Sequence, residues 1–172
     1  MISKLSLIGA AVVFGIAAPA AAAGPTDPQI AHIAYTAGSI DIAAGKQALS
    51  RSNNKAVRSF AQEMVRDHTA VNDKALALVK KLHVTPEANP TSAGLTKQAN
   101  ATLKRLSHVR GAAFDRAYVD NEVAFHKTVN GALETTLIPS AKNGELKSLL
   151  ETGLTLFREH QAHAEQVAKD LK

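Results

Sequence analysis

Apolar residues recur every three or four positions along most of this chain, and no stretch alternates with period two. That spacing predicts helix throughout. The most regular run is Val57, Ala61, Met64, His68, Val71, Ala75, Leu78 and Leu82, stepping alternately by four and three. This is the seam spacing of an antiparallel bundle. Similar stripes predict helices over 27–50, 54–82, 112–137 and 144–171, with a shorter one over 91–107. Asp27-Pro28 reads as an N-cap followed by proline in the first turn. Ser52-Asn53-Asn54 and 140–144 read as tight turns, Thr85 to Pro90 as a break, and Pro139 as the end of the third long helix. Two hairpins joined by one long central connection give an all-α, ferritin-like antiparallel four-helix bundle, with an extra short helix in the crossover.

Five polar residues interrupt these stripes: Asp41, His68, Glu122 with His126, and His160. They fall on four different long helices. Asp41 lies 12 residues before Asn53 and His68 lies 15 after it; His126 lies 15 before Ala141 and His160 lies 19 after it. At about 1.5 Å rise per residue the members of each pair differ in height by roughly 5–6 Å. All four helices are therefore expected to present a polar side chain to one layer.

A buried carboxylate or imidazole needs a partner for each polar atom. Two readings meet that need. In one, Asp41, His68, His126 and His160 bind a divalent transition metal, with Glu122 as a ligand or beside the ligands; nitrogen and oxygen donors without sulfur suit Fe, Mn, Zn or Cu. In the other, the chain is a non-catalytic envelope or stress-related structural or interaction protein, the layer is only structural, and Asp41 and Glu122 pair with the histidines. Glu-x-x-His pairs are absent, since Glu63 to His68 is five apart and Glu122 to His126 is four. Carboxylate-bridged di-iron chemistry is therefore not expected. Glu63 is expected to pair with Arg66 or Lys55, and His163 to face solvent. His32, His83 and His108 carry no assignment. The chain has no phosphate loop and no supportable catalytic triad, so an enzyme of defined class is not indicated.

The N-terminus adds a location. Lys4 precedes an apolar run over 5–18 and then Ala21-Ala22-Ala23, which together form an export signal with a cut expected after Ala23. The run is too short for a membrane span. Residues 24–172 would form one periplasmic or secreted domain. There is no cysteine, and so no disulfide or thiolate metal site. The formal charge is +5, and losing Lys4 leaves 19 basic against 15 acidic residues, or +4. The charge is dispersed and aromatics make up 4% of the chain, which excludes an ordinary nucleic-acid reader and leaves weak attraction to anionic envelope surfaces. Nothing in the sequence indicates an oligomeric state.

One further pattern is specific. Phe60-Ala61-Gln62-Glu63-Met64-Val65-Arg66-Asp67-His68-Thr69, then Phe114-Asp115-Arg116-Ala117-Tyr118, then His126 and His160, resemble the DUF4142 family of exported bacterial proteins, often labelled outer membrane proteins. The resemblance spans 28–171. It implies a ferritin-like bundle of unassigned biochemical function, with His68, His126 and His160 at the family's recurring histidines. The family's acid on the first helix is usually Glu; Asp41 is one methylene shorter. The proline that often precedes the last histidine is missing here. Neither β-barrel alternation nor a second apolar span supports the outer-membrane label.

Overall fold

The computed structural model describes residues 24–171; the expected export signal lies outside them. All regular structure among the described residues is helical: α1 (Asp27–Arg51), α2 (Lys55–Lys81), α3 (Pro90–Ser107), α4 (Gly111–Ala132), a π-helical turn (Leu133–Leu137), α5 (Ile138–Ser140) and α6 (Gly144–Asp170). The long helices form a ring in which α1 packs on α2, α2 on α6, α6 on α4 and α4 on α1. The crossover helix α3 lies along α1 and touches α4.

Asparagines start three of these helices. Asn54 accepts from the backbone N–H groups of Ala56 and Val57, and Asn143 from those of Glu145 and Leu146; Asn89 accepts from Ser92 N–H. Such caps satisfy donors that no helical carbonyl can reach. The start of α1 differs from the sequence expectation. Thr26 is its N-cap, and Asp27 is the first helical residue. The Asp27 carboxylate instead reaches across the bundle and accepts from the N–H groups of Lys142 and Asn143, at 2.8 and 2.9 Å. It thereby ties the start of the chain's fold to the start of α6. Asp27→Ala is expected to lower unfolding free energy by about 1–3 kcal/mol, because two charge-assisted bonds are lost. A denaturation curve checks this; an unchanged midpoint would mean that the tie contributes nothing.

Pro139 does not end its helix as abruptly as the sequence suggests. A proline cannot donate to the carbonyl four residues back and crowds it. The chain absorbs this by widening into the π turn, where Ile138 N–H bonds to the Leu133 carbonyl five residues back. The helix then runs three residues further.

The apolar core is divided. One part holds Phe60, Met64, Leu106, Phe114, Tyr118 and Val167. The other holds Ile30, Ile33, Leu133, Leu137, Leu146 and Leu150. Along every long helix of the ring, the polar residues fall between the two. Close approach of α1 and α2 permits this arrangement: a Cβ on Gly45 would sit 3.1 Å from the Ala61 carbonyl.

Candidate metal centre

All five interrupting side chains meet at one level. Asp41, His68, Glu122, His126 and His160 are each no more than 2% exposed. Ligand atoms of His68, His126 and His160 lie within 4.8 Å of one another, and so do those of Asp41, Glu122 and His126. His126 belongs to both groups. The three imidazole centroids form a triangle with sides of 5.1, 5.6 and 5.7 Å. Phe157 stacks on His68 at 4.7 Å and closes one side.

Hydrogen bonding fixes two of the three tautomers. His126 Nδ1 lies 3.0 Å from the Glu122 backbone oxygen. A carbonyl only accepts, so Nδ1 carries the proton and Nε2 keeps a lone pair. That Nε2 is buried without a partner. His160 Nε2 lies 3.1 Å from Asp67 Oδ2. The Arg66 guanidinium, bonded to Asp67 at 2.7 and 3.0 Å, holds that carboxyl below its usual range, with His160 adding to the effect. Asp67 is therefore an anionic acceptor. The proton sits on His160 Nε2, and the lone pair is on Nδ1, which is again buried and unpartnered. A carboxylate gripping the far nitrogen is how proteins orient a ligating histidine.

The electrostatics oppose a self-satisfied layer. Burial pushes His126 down to about 4 and His68 well below its ordinary value. Burial, the charge of Glu122 and the bond between the two carboxyls push Asp41 well up. Glu122 rises to about 7, again through burial. His68 Nε2 and Asp41 Oδ2, 3.5 Å apart, have the spacing of a loose ion pair. Burial disfavours charge on both, so the contact is one between neutral groups. Tyr118 lies nearby, its hydroxyl buried and unpartnered, with its proton held by burial and by the charges of Glu122 and Asp41. Four buried ring nitrogens of the three histidines have no hydrogen-bond partner within the protein.

Three features escaped the sequence reading. Asp67 orients His160, Glu63 pairs with His163 at 2.7 Å, and His163 is half-buried edge-on to Phe60. Two expectations are thus corrected. Arg66 pairs with Asp67 rather than Glu63, and His163 is not simply solvated. The reason is register. With α2 read forwards and α6 backwards, Glu63 meets His163 and Asp67 meets His160. Two acids four apart facing two histidines three apart was the available signal.

A four-helix bundle whose helices each send a carboxylate or imidazole into one buried layer defines the class of this protein. The family described as Domain of unknown function (DUF4142) matches residues 15–167. The chain belongs to that family. No curated protein matches the sequence. Among solved structures, a Streptomyces coelicolor protein described as secreted and labelled DUF305 superposes with a TM-score of 0.70 at 9% identity, over 83% of this chain and 91% of the other. At that identity the likeness concerns the fold. Among the described residues no helix is long and apolar enough to cross a membrane.

Proposed function

We propose that this is an exported protein that holds one divalent transition-metal ion on His68, His126 and His160, with Asp41 and Glu122 completing the set. The observation that carries the reading is the pair of free lone pairs, His126 Nε2 and His160 Nδ1. Each is aimed into the layer because its ring's other nitrogen is already committed. His126 is a member of both ligand groups, and its Nδ1 is already committed to the Glu122 carbonyl. That favours one ion over a bridged pair. Three imidazoles with carboxylates suit Fe, Mn, Zn or Cu. The N-terminal signal pattern supports export. The DUF305 neighbour is itself described as secreted.

Metal analysis of the purified protein tests this. The expected result is one ion per chain, none in His68→Leu, and affinity lowered about 10–100-fold in Asp67→Asn, which keeps the ligands but loses the grip on His160. Protein that takes up none of the four metals, with His68→Leu as stable as the parent, would return the layer to a purely structural role.

A further inference from the structure

The half of the bundle holding Ile33, Leu133 and Leu150 is hollow. A cavity of about 550 Å³ runs between α1, α2, the π turn and α6, with Phe157 at its inner end. Leu146 and Phe157, both in its wall, are 11 residues apart on α6, or about 16 Å along the helix. The opposite half of the core is closed by Phe60, Phe114 and Tyr118, each fully buried. The regular stripe of α2 shows the same contrast. Val57, Ala61, Met64 and His68 are buried, whereas Val71, Ala75 and Leu78 along the cavity are only half-buried.

Protein interiors seldom leave such space. An apolar void of about 150 Å³ already stays dry and admits small apolar guests, and this one is several times larger. Two features hold it open. Small residues, among them Ala37, Ala75, Ala132 and Gly153, stand in the wall where leucine would fill it. The π turn also places Leu133, Thr136 and Leu137 along one side. The wall includes no Asp, Glu, Lys, Arg or His. Among its exposed members, Thr91 at the start of α3, Thr128 on α4 and Thr136 in the π turn carry hydroxyls, that of Thr128 already donating to the Ala124 carbonyl and so free only to accept.

We propose that this cavity binds an uncharged, single-chain amphiphile, its hydrocarbon chain between the helices and a hydroxyl-sized polar end at the threonines. Volume, length and an apolar wall fit one aliphatic chain. The missing charges disfavour a carboxylate or ammonium headgroup. The inference is independent of the metal reading, and metal-free protein binds equally.

The test uses N-phenyl-1-naphthylamine, an uncharged probe that fluoresces in apolar surroundings, with the full chain and with the chain from Gly24. Saturable binding is expected in both, displaced by 1-dodecanol and at least tenfold less well by laurate. Ala75→Phe and Ala132→Phe fill the space. Each is expected to weaken probe binding at least tenfold while the melting temperature holds or rises. Four binding results would overturn the proposal: no saturable binding, binding untouched by both filling variants, equal displacement by laurate, or binding seen only once residues 1–23 are removed. The last would give the cavity to the chain's own apolar leader. Lower melting temperatures for both filling variants would overturn it too, because they would mean that the space is not there to fill.

Discussion

A metal ion supplied at about a hundred times its dissociation constant is expected to stabilise the folded protein by about 2.7 kcal/mol. For a domain of this size that is a rise of about 5–10 °C in melting temperature. In His126→Ala the rise should vanish. His126 is the decisive position because it is the one residue common to both groups of ligand atoms. Whether the ion sits toward His68 and His160 or toward Asp41 and Glu122, the His126 ring is part of the group. The two remaining sides can then be separated: a shift lost in His160→Leu but kept in Asp41→Ala places the ion among the imidazoles, and the reverse places it among the carboxyls. Metal-free His126→Ala should still fold, since the substitution removes a buried nitrogen that lacks a partner and leaves the flanking apolar clusters in place. Scanning fluorimetry with Fe, Mn, Zn and Cu in turn decides the matter. No shift with any of them would leave the buried layer as an element of architecture.

How much of this was legible beforehand depends on the range over which each feature is determined. The helices were readable because their stripes are local: 3.6-residue periodicity and the turn residues between stripes lie within a few residues of what they control. Convergence of the five polar side chains was readable because height in an antiparallel bundle follows from counting away from the turns. Asp67 was not. It sits off the α2 stripe, and its role depends on the rotation of α2 against α6, which counting does not give. Asp27 has the same character, for its partners are the backbone of Lys142 and Asn143, a contact between chain segments that no local pattern encodes. The cavity was hidden by its own walls. Val71, Ala75 and Leu78 continue an unbroken stripe, and alanine on a seam reads as close packing whether or not a neighbour arrives to fill the space.

Metal affinity should rise with pH toward about 7, where Glu122 gives up its proton, a profile set by the carboxyl groups and not by His68 or His126. Ordinary imidazole sites lose metal below about 6.5, where the ring takes a proton. Here burial holds His126 at about 4 and His68 well below normal, so both rings are ready to bind across the acidic range. Glu122, raised to about 7, and Asp41, also raised, hold protons instead. An ion that recruits Glu122 must displace its proton. Each unit below 7 then costs about tenfold in affinity, and more where Asp41 is displaced as well. Linkage gives the metal-free fold the opposite trend on the carboxyls' account. A carboxyl whose folded pKa lies above its unfolded one stabilises the fold fully below the unfolded value, and that contribution is lost as pH rises through about 7. The lowered histidines work against this. His126 takes its proton more readily unfolded than folded, so its contribution grows from about pH 4 to 6.5. The two trends oppose each other over most of that window, and only above 6.5 does Glu122 act without His126. Glu122→Gln separates the effects. It should reduce the pH dependence of metal binding below 7 and the loss of metal-free stability near 7, leaving the share that belongs to Asp41. Titration calorimetry at pH 5.5, 6.5 and 7.5 is the measurement. A parent profile already flat over that range would mean that the ion rests on imidazoles alone, with both carboxyls keeping their protons beside it.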